Sequence, residues 1–288
     1  MGSSLGTRKG VRLPSYVILL FPAVVFIVVM YAYPFILSFV KSFELDGEFT
    51  TANYRKALDL YYRDITFTFV VTLFNSLLAT AAGILLSVYF RLNDSFISRT
   101  LVKLYRIPIF IPFVVVAQMM NSFLAPHGLL NLFLGRLGII SLEKPLQLFN
   151  FSGLSFGFAW KLIPFTVMII FGGFQMIDNS YIEAARSAGA KLYHVILKIL
   201  IPMNLSSILV ALVLVYSQIV GTFTLPYMLI GGKIPTTITV DIAHRVNYYR
   251  DFGVANALGV FSYIMVLVTA FYYLRMNIKD KKTVHPQM

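Results

Sequence analysis

The chain has 288 residues, 58% of them apolar and only 12% charged, with a formal net charge of +12. So little charge excludes a soluble domain, and the absence of cysteine excludes disulfide scaffolds and thiolate metal centres. The basic excess does not indicate nucleic acid, because the Lys and Arg residues are spread over several loops with no stripe interleaved with exposed aromatics.

In chain order, a basic segment (1–12) leads into a first spanning helix over 13–41, uncharged from Leu13 to Val40. Those residues would run about 40 Å as a helix, enough for a hydrocarbon core of about 30 Å. The length, with Pro22 and Pro34, favours a retained span over a cleaved leader. An outer loop is expected over 42–64, then a five-helix core over 65–274 and a basic tail over 275–288. The core spans are expected at 65–90, 107–125, 151–177, 201–230 and 252–274.

Basic residues set the orientation, since Lys and Arg in short loops resist translocation. Arg8, Lys9 and Arg12, then Arg91, Arg99, Lys103 and Arg106, then Arg186, Lys191 and Lys198, and finally Arg275, Lys279, Lys281 and Lys282 fall at one set of ends. The opposite ends carry most of the acids. Both termini are therefore expected in the cytoplasm, and with them the segment 178–202.

That segment contains Tyr181-Ile-Glu-Ala-Ala-Arg-Ser-Ala-Gly189 and closes on Ile199-Leu-Ile-Pro202. Glu, Ala and Arg favour a short helix, Gly189 can take the left-handed conformation that ends it, and a second helix can run from Lys191 toward Pro202. Glu183 is expected near the start of the first helix, where a carboxylate suits the dipole. The spacing of Glu183, Ala184, Ala185, Gly189, Ile199 and Pro202 resembles the EAA loop of permease subunits in binding-protein-dependent ABC importers. Tyr33-Pro34, Asn53-Tyr54-Arg55, Arg106-Ile-Pro108, Pro112, Gly128-Leu-Leu-Asn131, Trp160, Pro164 and Phe252-Gly253 extend the resemblance over roughly residues 30 to 270. Ala188, where many relatives have an acid, and Ile201, where Leu is more usual, depart from the pattern.

The resemblance implies an all-α polytopic membrane protein with six transmembrane helices in the type I ABC importer permease fold, in a bacterial-type plasma membrane. It implies that Glu183, Ala184, Ala185, Gly189, Ala190, Ile199 and Pro202 engage an ATP-binding cassette ATPase dimer. It also implies a second permease, expected to be a different chain, and an external solute-binding protein. No nucleic acid is expected, membrane lipid is, and ATP with magnesium belongs to the partner subunits, this chain binding no cofactor.

The sequence supplies no catalytic set. There is no phosphate loop, since Gly231-Gly232-Lys233 continues into Ile234, and there is no nucleophile elbow or zinc motif. His127, His194, His244 and His285 are isolated, and no metal site is expected. Within the spans, Gln118, Asn121, Trp160, Lys161, Gln175, Tyr216 and Gln218, with Asn75, have two readings: they line a path for a hydroxyl-rich solute, or they bond helix to helix. Lys161 can also snorkel or pair with a neighbouring subunit. A carbohydrate is narrowly preferred over a polyamine or other small organic solute, because no acid is found in a span interior. A stand-alone secondary transporter is the competing class, without the intramembrane carboxylates or inverted repeats expected of one.

Overall fold

The computed structural model describes residues 15–231, 233 and 235–284; the basic segment 1–12 and the end of the tail, 285–288, lie outside the described residues. The first span is α1 (Ser15–Ile27), a π-helical turn (Val28–Ala32) and α2 (Tyr33–Ser42). Pro34 has no N–H to return to the preceding turn, and the wider π turn just before it takes up the mismatch. The same device recurs at Ile196–Leu200, ahead of Pro202.

A two-stranded hairpin follows, β1 (Glu44–Leu45) and β2 (Glu48–Phe49). Asp46 and Gly47 turn it with φ of 52° and 85°, the left-handed pair a tight hairpin requires. Then α3 (Ala52–Leu92) runs for 41 residues, so most of the expected outer loop 42–64 is helix. Its charges hid it from a hydropathy reading. Tyr54, Ala57 and Tyr61, at helical spacing, pack on Ile238, Val254, Ala257 and Leu258, and this distant cover makes those turns helical.

On one side of the bundle end lies α4 (Phe96–Leu104), whose N-cap Ser95 accepts from the Ser98 amide at 3.2 Å. The expected span 107–125 is broken at Ile111-Pro112 into α5 (Ile107–Phe110) and α6 (Phe113–Leu124), with α7 (Leu129–Arg136) continuing. The fourth span, α8 (Phe151–Gln175), is capped by Asn150 and carries the buried Pro164. Then come α9 (Asn179–Ser187), α10 (Leu192–Val195), the π turn Ile196–Leu200 and α11 (Ile201–Met203). The fifth span is also broken. The chain bends by 69° at Asn204 into α12 (Leu205–Gly221), and α13 (Thr224–Ile230) ends on Gly231 at φ 63°. The last elements are α14 (Ile238–His244), a π turn (Arg245–Tyr249) and α15 (Phe252–Val284).

Among the described residues five helices, or six if the bent pair counts as one span, are long and apolar enough to cross a membrane. The main core lies where α3, α6, α8, α12 and α13 meet, around Val71, Val116, Leu154, Phe158, Val215 and Leu225. Small residues bring α3 and α8 together, since a Cβ on Gly83 would fall 2.5 Å from Thr166 Cγ2. At the opposite end from the 178–202 loop, Asn53 donates to the carbonyls of Ser42 and Glu44 at 3.1 and 3.0 Å. Gly253 leaves room for that side chain, because a Cβ there would fall 2.6 Å from Asn53 Nδ2. Asn131 clamps its own loop in the same way, bonding the Ala125 and Leu146 carbonyls and the Leu146 amide.

Candidate functional site

The 178–202 segment is a helix-turn-helix held from below. Asp178 is the N-cap of α9, its Oδ1 accepting from the Ser180 amide at 2.8 Å. That hydrogen bond, with the Ser180 hydroxyl and the nearby Arg91 charge, holds the Asp178 carboxyl below its ordinary range. The carboxylate at the dipole's positive end is thus Asp178 and not Glu183, which stands beyond the first turn.

The turn closes as a Schellman motif: the Ala190 amide reaches the Ala185 carbonyl and the Gly189 amide the Arg186 carbonyl, both at 2.9 Å. Gly189 sits at φ 79°, and a Cβ there would meet nothing within 4 Å, so backbone conformation alone demands glycine. Ile182, Val195 and Leu200 point inward onto Ile170, Phe174 and Ile208, with Ala185 and Ala190 packed beside them. Glu183, Ala184 and Pro202 are exposed and Ile199 is half-buried. Among the described residues Glu183 has no hydrogen-bond or ion-pair partner. Tyr181, Leu192, Tyr193 and Leu197 stand exposed around it.

Arg91, read from the sequence only as one basic residue among many, ties this loop to the bundle. Its Nε donates to the Phe174 carbonyl at 3.0 Å, and its Nη2 donates to the Ile177 carbonyl at 2.8 Å and to Asn179 Oδ1 at 2.5 Å. It thereby adds a donor to the Phe174 carbonyl, which also accepts from the Ile177 amide at 3.3 Å, and to the Ile177 carbonyl just past α8, and fixes where α9 begins. Gln175, expected along a membrane pathway, is instead exposed at this end and lines a cleft with Arg91 and Asp178. As the last residue of α8 it belongs with the loop.

Lys161 turns inward rather than toward an aqueous face, and forms no ion pair among the described residues. It is 8% exposed, and its ammonium donates to the carbonyls of Pro108, Ile109 and Ile111 at 2.9, 3.0 and 2.6 Å. Pro112 interrupts the helix here and leaves the Pro108 carbonyl only a 3.3 Å bond from the Ile111 amide, so a lysine on α8 completes a break in the α5–α6 segment. The Phe113 ring lies 5.2 Å from the same nitrogen.

The remaining pathway candidates separate into groups. Gln118 and Trp160 line one cavity of about 450 Å³ together with Phe123 and Phe156. Lys161 and Gln218 border another, of about 330 Å³, with Phe165. Asn121 instead bonds helix to helix, donating to the Met228 carbonyl at 2.9 Å, as does Asn75 toward Ser155 Oγ at 3.1 Å. Tyr216 is buried at 3% exposure.

Two acids missed as interior groups are buried at the far end. Asp64 on α3 and Asp241 on α14 are 3% and 5% exposed. Asp64 accepts from the Thr236 amide at 2.6 Å, while Asp241 Oδ2 has no hydrogen-bond partner among the described residues. Burial, and after it the Asp64 charge, raises the Asp241 carboxyl to about 8, with Arg245 acting the other way. No set of three His, Cys, Asp or Glu able to hold a metal occurs among the described residues.

The chain is thus a bundle of apolar, proline-broken spans that presents an exposed helix-turn-helix, the arrangement of a multi-span membrane protein with a docking loop. Residues 79–278 match the family described as the binding-protein-dependent transport system inner membrane component, and the chain belongs to it. The permease protein PotB of a spermidine/putrescine transport system of Salmonella typhimurium is 26% identical over 240 residues, 81% of this chain and 82% of that one. The trehalose/maltose permease protein MalF of Thermococcus litoralis is 27% identical over 222 residues, 74% of this chain and 72% of its own. A solved bacterial ABC transporter involved in import of the acidic polysaccharide alginate shares the fold at TM-score 0.76 and 20% identity, covering 92% of this chain and 95% of that one. The protein is thus an inner-membrane permease of type I ABC importer fold. It is not an enzyme, ATP hydrolysis residing in a separate subunit.

Proposed function

We propose that this chain forms half of the translocation pathway of an ATP-driven importer for a small polar solute, with a carbohydrate narrowly preferred. The loop around Glu183 and Gly189 passes the ATPase motion to the spans, with the loop and both termini in the cytoplasm. The observation that carries the coupling role is the exposed face of α9 and its Gly189 turn, rigidly seated on α8 through Ile182 and Arg91 yet offering Glu183 unpaired. An external binding protein delivers the solute, and closure of two nucleotide-binding subunits drives the alternation of access. The second permease is a different chain.

The carbohydrate preference rests on the cavity of Gln118, Trp160, Phe123 and Phe156, whose flat faces and amide suit a hydroxylated ring. A polyamine is the second reading, favoured by the buried pair Asp64 and Asp241 and by the spermidine/putrescine relative. Competition for uptake separates them: inhibition by sugars and not by polyamines supports the first, the reverse supports the second. The coupling role is tested by mild-detergent purification from the native membrane. An ATPase and a second permease should accompany the wild type, and the ATPase should be lost from Glu183→Ala combined with Gly189→Pro; a chain that runs alone in both cases overturns the importer assembly.

A further inference from the structure

We propose that α4 is a lipid-binding element, lying along the membrane interface at the coupling-loop end of the bundle and gripping anionic phospholipid headgroups. At about 100° per residue, α4 and the Tyr105-Arg106 turn that follows it in right-handed helical backbone have three distinct flanks. Ser98, Val102 and Tyr105 fall on the first and are the residues that bury: Ser98 is 2% exposed, and Val102 and Tyr105 pack on Phe90, Val167 and Phe171. Ile97, Leu101 and Leu104 fall on the second, 62%, 41% and 50% exposed. Arg99, Lys103 and Arg106 fall on the third, all exposed, roughly opposite the apolar flank.

A helix docked on one side, apolar on the next and cationic on the third suits the boundary between acyl chains and headgroups. The apolar flank continues into Ile107 and Phe110, 55% and 83% exposed, and on to Val114 and Val115 of the span α6. It therefore runs on from the exposed apolar face of a helix long and apolar enough to cross a membrane, which argues for lipid over a water-soluble subunit as its cover. On the cationic flank the nearest acid is Asp94, whose Oδ1 is 3.4 Å from Arg99 Nε, so a surplus of positive charge remains for phosphate.

The chain has no cysteine, so single-cysteine variants can carry a nitroxide at chosen positions. The experiment uses the complete assembly in nanodiscs of phosphatidylglycerol mixed with phosphatidylcholine. Labels at Ile97→Cys and Leu101→Cys should be relaxed by oxygen and not by a water-soluble nickel chelate, and the label at Lys103→Cys should show the reverse. Protection of Ile97→Cys and Leu101→Cys from both agents means that protein covers the flank, and relaxation by nickel means that water does; either result overturns the proposal. Headgroup selection is read by native mass spectrometry of retained lipid. Arg99→Gln, Lys103→Gln and Arg106→Gln together should cut the preference for phosphatidylglycerol by about tenfold or more, with the melting temperature unchanged. An unchanged preference overturns the anionic grip.

Discussion

Lys161 uses all three of its N–H donors on backbone carbonyls, and this decides what its substitution does. Lys161→Met keeps the apolar stem but takes the ammonium from all three acceptors, leaving Pro108 only the Ile111 amide at 3.3 Å, at a cost of about 2 kcal/mol or more. Lys161→Arg fares little better, because a planar fork cannot converge on three carbonyls as a point charge does. Both should melt well below the wild type in detergent; a Lys161→Met protein of unchanged melting temperature refutes the role. At Gly189 the reasoning is conformational. Gly189→Asn, which tolerates the left-handed region, should retain most uptake, whereas Gly189→Pro, with φ fixed near −65°, should abolish it while the chain still inserts. Similar uptake by the two variants would sever the link between this turn and coupling. The motif's spacing marked Gly189 in the sequence. The acceptors of Lys161, some fifty positions earlier, left no sequence pattern.

At the scale of elements, the end of α3 and the end of α8 meet through Arg91. Arg91→Ala removes hydrogen bonds to two carbonyls and a side-chain amide, and should loosen the start of α9. The expected outcome is ATP hydrolysis by the reconstituted assembly that responds weakly to solute; undiminished coupling would show that the loop is held elsewhere. At the opposite end, α14 sets Asp241 against α3, with Asp64 and Arg245 close enough to act on its charge. Raised from 3.8 to about 8, the Asp241 carboxyl keeps a proton in the folded chain that the unfolded chain releases. Its contribution to stability is therefore full below about pH 4 and is lost as pH rises through about 8. The melting temperature should be higher at pH 6 than at pH 9, and Asp241→Asn should reduce that difference. An equally steep slope in the variant would assign the effect to other groups.

For the whole molecule, the first span has an 18-residue window with none of its residues buried in the chain, while 56% of the corresponding window of α8 is buried. Lipid or another subunit must cover the former, and the proposed pairing of two different permeases predicts that tagged copies of this chain do not capture each other from the native membrane. Capture of one tagged copy by another would instead indicate a homodimer.

The sequence by itself determined that the chain is a multi-span membrane protein, roughly where most spans lie, and that a helix breaks at Gly189. Those properties are local: hydropathy is a sum over consecutive residues, and glycine's freedom at φ 79° belongs to one residue. Tertiary structure decided what no window contains. It made helix of the charged start of α3 by covering it with Ile238 and Val254, and it turned Lys161 from an anomalous charge into the partner of a broken helix. It also separated Gln175 from the other polar span residues and buried Asp64 and Asp241 together. In each case the deciding groups are far apart in the chain, and the energy that fixes them, burial of apolar surface or satisfaction of a buried polar atom, exists only once the bundle has closed.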